Sequence, residues 1–155
     1  MVVKALTEKL GLKPGYTVFL IAGGDWLLED IGEAIGEEGI LFALDSPQVL
    51  ERARAIGEAD AILFWVGQAE GLEPALEMLR ERIKEDGAIW TVITKKAYQE
   101  KEGLSRVKES DIIEAAKRAG LVDVKVATLS ESLQDPEGRE YALKLVIPRQ
   151  LGRVR

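Results

Sequence analysis

Two stretches of this chain, Val18 to Ile21 and Ile62 to Val66, are apolar at every position, as strands buried on both faces of a parallel sheet are. Ile40 to Leu44 and Ala88 to Ile93 read alike. Between these runs the apolar residues recur at helical spacing: Leu27, Leu28, Ile31 and Ile35, then Val49, Leu50, Ala53 and Ile56, then Leu76, Leu79 and Ile83. Strand and helix therefore alternate. Ser46-Pro47 has the form of a helix N-cap with proline at the first helical position, and Gly57 stands where a C-terminal glycine belongs. Pro74 and Gly87 are predicted to bracket the third helix, and Ser110 and Gly120 a fourth carrying Ile112, Ile113 and Ala116. Two further strands, Val122 to Leu129 and Tyr141 to Ile147, flank the turn-rich Asp135-Pro136-Glu137-Gly138. The predicted fold class is α/β: a doubly wound, Rossmann-like, mostly parallel sheet of about six strands with a C-terminal antiparallel hairpin. A segment from Lys95 to Glu109 is left open between a loop and an extra helical turn through Leu104 and Val107.

Composition narrows the chemistry more than the fold. The 155 residues, 46% hydrophobic and 31% charged, suit a single domain spanning positions 1–155. No apolar run approaches the roughly 20 residues that span a bilayer, and Met1 to Leu12 lacks the basic-then-apolar order of a signal peptide, so a cytoplasmic location and no membrane partner are expected. With no cysteine and no histidine there is no thiolate nucleophile, no imidazole base and no ordinary zinc site. Any acid-base work falls to carboxylates, lysines or tyrosines, and no metal is expected. This composition, rich in Glu, Lys and Arg, also fits a thermophile's.

A net charge of -6 argues against nucleic acid as a partner, since a phosphate backbone needs a basic surface. The charge is uneven. Asp25, Glu29, Asp30, Glu33, Glu37 and Glu38 stand together without a basic residue, whereas Lys95, Lys96, Lys101, Arg106 and Lys108 are interrupted only by Glu100 and Glu102. Two solvated faces are the simplest reading.

In open α/β sheets ligands bind beyond the carboxyl ends of the strands, which directs attention to three loops. Ala22-Gly23-Gly24-Asp25-Trp26 follows the first strand and opens a helix, so it is either a tight turn with Asp25 as N-cap or a place where glycines let a ligand approach the backbone. Asp45 ends the second strand, 21 positions after Gly24, close to the spacing at which an acid meets a cofactor ribose. Asp45-Ser46-Pro47 also satisfies a helix start with no ligand at all. Lys95 and Lys96 follow the fourth strand, where two ammonium groups would receive an anion or a partner, or simply be solvated.

From these residues a resemblance emerges. Leu12-Lys13-Pro14-Gly15-Tyr16-Thr17-Val18, Asp45-Ser46-Pro47 with Leu50-Glu51-Arg52-Ala53-Arg54, Gly87-Ala88-Ile89-Trp90 and Ala119-Gly120-Leu121 together resemble class I S-adenosylmethionine-dependent methyltransferases over nearly the whole chain. More narrowly the chain is similar to a small bacterial family of unknown function, through Leu12 to Gly15, Trp90, Lys95-Lys96, Gly120-Leu121-Val122-Asp123 and Arg149. The resemblance implies a methyltransferase-type fold. It also implies a cofactor motif, an acid followed by glycines at alternate positions, and on this chain those places hold Leu20, Ala22, Gly24 and Trp26. A side chain at a required glycine blocks the approach of a ligand to the backbone, and an indole at position 26 has the volume to fill a cofactor's place. Only Glu58 to Ala61 separates the second helix from the Ile62 strand, too little for the third strand of the full fold. The strand order expected is 2-1-3-4-6-5, with only the last strand antiparallel. Functionally, the broken motif implies a non-catalytic binding or regulatory module that takes a small molecule or a protein, with no cofactor. The alternative is a methyltransferase with an atypical site, in which Gly23, Gly24 and Asp45 hold S-adenosylmethionine.

Overall fold

Val18, Leu20 and their neighbours Phe19 and Ile21 are all buried because the strand they form has a helical layer on each face. The structure, a computed structural model, describes residues 10–52, 56–94, 107–128 and 140–148. β1 (Thr17–Ile21) lies between β2 (Ile40–Leu44) and β3 (Ala59–Trp65) and is parallel to both. β4 (Ile83–Thr94) adds in parallel to β3, while β6 (Glu140–Val146) runs antiparallel between β4 and β5 (Val122–Thr128). The order β2-β1-β3-β4-β6-β5 is the one expected from the sequence, and β6 alone is reversed.

Period-two alternation then sorts the core. Val18 and Leu20 meet Leu27, Ile31 and Ile35 of a short 3-10 turn (Asp25–Leu27) and α1 (Leu28–Ile35), with Leu63, Trp90 and Val92 in the same layer. Phe19 and Ile21 face the opposite way. There they pack with Leu50 of α2 (Val49–Arg52), Leu76 and Leu79 of α3 (Leu72–Arg80), and Ile112 and Ala116 of α4 (Glu109–Arg118). Leu27, Ile31, Ile35, Leu50, Leu76, Leu79, Ile112 and Ala116, predicted from helical spacing, are all buried.

Several predicted boundaries move. α3 starts at Leu72 behind Gly71, whose φ of 76° is natural for glycine, and ends at Arg80, so Pro74 lies inside its first turn. Ile83 is not its last residue but the first of β4, paired with Ala59. Gly87 likewise lies inside β4 and caps no helix. The helix ends early because Arg82 N–H bonds back to the Leu79 carbonyl and then gives its own carbonyl to Ala59 N–H, which begins the β3–β4 ladder. β3 itself absorbs Ala59 to Ala61, and no separate strand stands between Gly57 and Ile62. Gly24 rather than Asp25 occupies the cap before the 3-10 turn. α4 is capped by Lys108, whose N–H donates to Asp111 Oδ2 at 2.9 Å, rather than by Ser110. The turn from Ser46-Pro47 does wind into α2, through Val49 N–H to the Ser46 carbonyl and Leu50 N–H to the Pro47 carbonyl. The predicted turn 135–138 and most of 95–109 lie outside the described residues.

The amino edge of the sheet is tied by side chains. Asp60 Oδ2 accepts from Thr17 N–H at 2.8 Å while Lys84 Nζ lies 3.2 Å from Oδ1, joining β1, β3 and β4. Arg82 donates to the Leu50 carbonyl at 2.8 Å and to the Gly57 carbonyl at 2.9 Å and 3.2 Å, holding the segment between α2 and β3. On β6, burial first and the negative charge of Glu109 second raise the Tyr141 phenol above its ordinary 10.0. The folded chain thus holds this proton more tightly than the unfolded one. The resulting stabilisation is complete below about pH 10 and is lost as the pH climbs past it. Thermal melts between about pH 9 and 11 should fall less steeply for Tyr141→Phe than for the parent.

Candidate functional site

β1 and β2 end side by side, and the chain leaves β1 in an unusual way. Ala22 N–H donates to the Leu44 carbonyl at 2.8 Å, extending the ladder by one bond. Ala22 then takes a φ of 65°, the one non-glycine in the left-handed region among the described residues. Such a conformation costs an alanine about 1–2 kcal/mol and is seldom kept without a reason. Gly24 follows with a φ of 81°, and the chain turns into the 3-10 segment.

Between the two strand ends lies a cleft of about 310 Å³ with Ala22 and Gly23 on one side, Ala43 and Leu44 on the other, and Asp25 and Asp45 in its lining. Both carboxylates belong to exposed residues. The structure therefore brings together three features taken from the sequence: Gly23, Asp25 and Asp45. Leu20, which stands where the methyltransferase motif has an acid, is buried in the apolar layer beneath the cleft. Lys95 and Lys96 lie outside the described residues, although the strand that precedes them ends at Thr94 on this same carboxyl edge. Arg149 and the Trp26 side chain also lie outside them.

A second tryptophan, passed over as a strand residue in the sequence, governs the glycine pair. Register places Ile21 beside Phe64, so the next residue of β3, Trp65, comes level with Ala22. A Cβ on Gly23 would stand 2.8 Å from Trp65 Cγ, and one on Gly24 2.6 Å from Trp65 Cζ3. The half-buried indole therefore lies against the bare backbone of Gly23-Gly24, and the absence of two side chains is what lets it approach. A signal for this contact exists in the sequence: an aromatic at the carboxyl end of the strand next to the one that precedes a glycine pair.

Another cavity, about 270 Å³, is lined by Leu50, Glu51, Met78, Glu81 and Arg82. Its one cationic side chain already holds the Leu50 and Gly57 carbonyls, so it belongs to the scaffold. Among the described residues no acidic side chains gather into a metal-binding group, and no helix is long and apolar enough to cross a membrane.

Solved structures of several methyltransferases share this fold. The chain superposes on mitomycin 7-O-methyltransferase MmcR with a TM-score of 0.65 at 15% identity, covering 94% of this chain and 52% of that one. It thus spans about half the length of that enzyme. A SAM-dependent methyltransferase from Aquifex aeolicus matches with a TM-score of 0.64 at 13% identity, over 94% of this chain and 89% of that one. Fibrillarin from Aeropyrum pernix, solved with natively bound S-adenosyl-L-methionine, matches with a TM-score of 0.65 at 18% identity, over 94% and 72%. These likenesses establish a methyltransferase-type fold. S-adenosylmethionine is the ligand that fold implies; here Trp65 lies where the Cβ atoms of Gly23 and Gly24 would stand, while Gly23, Asp25 and Asp45 line the open cleft. A search of curated proteins finds no match. A family model described as Protein of unknown function (DUF3052) matches residues 7–136, and the chain belongs to that family.

Proposed function

We propose that this protein is a non-catalytic binding or regulatory module on a methyltransferase-type fold, taking a small molecule or a protein rather than nucleic acid or a membrane. The observation that carries this reading is the indole of Trp65 on the Gly23-Gly24 backbone. In a loop that must cradle a cofactor, glycines leave space; here Trp65 occupies the side on which their Cβ atoms would stand. The apolar Leu20 and the strained Ala22 agree with it, since neither offers a cofactor a polar contact from its side chain. Lys95 and Lys96, next in the chain after β4, are the anion or partner contact in this reading.

Isothermal titration with S-adenosylmethionine tests it. No saturable heat is expected at ligand concentrations up to about 1 mM, where even a weak site of about 4 kcal/mol would begin to fill. Binding in the low micromolar range would overturn the proposal.

The methyltransferase alternative rests on one specific observation, the cleft beside Asp45 at the end of β2. In that reading Asp45 holds ribose hydroxyls, Gly23 and Gly24 support the remainder, and rate comes from positioning. Asp45→Ala would then abolish whatever binding the titration detects.

A further inference from the structure

We infer that the exposed edge of β2 is a docking strand for an extended segment of another protein, with an apolar centre and basic residues on both sides of it. The placement is independent of whether the neighbouring cleft takes a cofactor. β2 is an outer strand of the sheet, bonded on one side to β1 and, among the described residues, to nothing on the other. Ile40 N–H and the Leu44 carbonyl bond toward β1. By the alternation of a parallel ladder, the N–H and C=O of Leu41 and Ala43 point away from β1, toward the open edge.

Edge strands ordinarily carry a lysine, a proline or a bulge that discourages pairing. β2 has none of these. Its sequence, Ile-Leu-Phe-Ala-Leu, is apolar throughout, its pairing with β1 runs without a break, Ile40 is 49% exposed and Ala43 is also exposed. The opposite edge, β5, shows the contrast: it is interrupted by a register shift between Asp123 and Lys125 and carries both of those charges.

Charge selects the occupant. Exposed Glu37 and Glu38 precede β2, and exposed Asp45 and Glu51 follow it, so the apolar strip is bounded by carboxylates at both ends. A strand of Val, Ile, Thr or Tyr bounded by Lys or Arg complements this pattern, with main-chain bonds supplying affinity and the flanks orientation. A second copy of this chain does not. Two-fold antiparallel pairing centred on Phe42 would set Gly39 against Asp45 and bring the acidic ends of two molecules, each of net charge -6, together.

The test uses a fluorescein-labelled peptide pool, Lys-Arg, five positions drawn from Val, Ile, Thr and Tyr, then Lys-Arg, titrated with the full chain and read by anisotropy. A pool is sufficient because strand addition depends mainly on the backbone. Saturable binding that weakens with salt is expected, together with added hydrogen-exchange protection at the Leu41 and Ala43 amides and no binding of the same pool flanked by Glu. Ala43→Pro removes an outward-facing donor without touching the β1 ladder, as edge strands tolerate, and should weaken binding about tenfold or more while melting normally. If Ala43→Pro fails to fold, Ala43→Lys keeps the N–H but opposes the basic flanks and should weaken binding likewise. The inference is overturned if the basic pool does not bind, if it binds the folded variants equally well, or if light scattering shows a dimer that Ala43→Pro abolishes, which would assign the edge to a second copy. The peptide titration contains no S-adenosylmethionine, so its outcome is read apart from that of the cofactor titration.

Discussion

Gly24→Ala should destabilise the protein by about 3 kcal/mol, and about 2 kcal/mol of that should disappear when Trp65 is also alanine. Two independent costs add at Gly24. Its φ of 81° charges any L side chain about 1 kcal/mol or a little more. The new methyl also meets the Trp65 ring at 2.6 Å or closer, an overpacking cost of about 1–3 kcal/mol for an indole packed against the buried layer of the core. Trp65→Ala removes the second cost and leaves the first. Urea unfolding of the parent, both single variants and the double variant measures the coupling directly. Additivity within about 0.5 kcal/mol would show that the indole does not rest on the glycine turn, and would remove the main support for a site closed to cofactor.

The same contact shows what was legible in the sequence and what was not. Strand order was legible because buried parallel strands are apolar at every position and the helices between them keep their period, as Phe19 with Ile21 and Leu76 with Leu79 illustrate. The carboxyl edge was legible too, since strand ends and glycines mark it, and Asp25, Asp45 and Gly23 do meet at one cleft. Which aromatic covers the glycine pair was not. The sequence draws attention to Trp26, whose side chain lies outside the described residues, whereas the indole found on Gly23-Gly24 belongs to Trp65, more than forty positions away. A residue's neighbours across a sheet depend on register, and register is set by pairing partners that no local window contains. Ile83 misled for a different reason: its distance from Leu79 continues the period of α3, and only the early closing bond from Arg82 N–H to the Leu79 carbonyl ends the helix.

Gly87 was read from the sequence as the glycine that ends a helix, and its real role predicts an effect as large. It lies inside β4 where that strand shifts register against β3 between Ala59 and Ala61, and it is buried. A Cβ there would stand 2.8 Å from the Asp60 carbonyl oxygen, 3.1 Å from that of Lys84 and 3.3 Å from that of Ala59. All three are backbone atoms, so relief requires moving β3 or β4 rather than turning a side chain. Asp60 resists such movement because its carboxylate also holds Thr17 N–H and Lys84, so a displacement would spread to the start of β1. Gly87→Ala is therefore expected to cost about 3 kcal/mol, at the upper end of overpacking, and to lower the melting temperature by roughly 6–12 °C for a chain of this size. Gly32→Ala supplies the contrast. Gly32 lies within α1 with nothing within 4 Å of its would-be Cβ, so the same substitution should raise stability by about 0.5–1 kcal/mol through helix propensity alone. Thermal melts of the two variants should move in opposite directions. If instead Gly87→Ala melted with the parent, the close approach of β3 to β4 at Asp60 would be wrong, and Gly87 would return to being an ordinary turn residue.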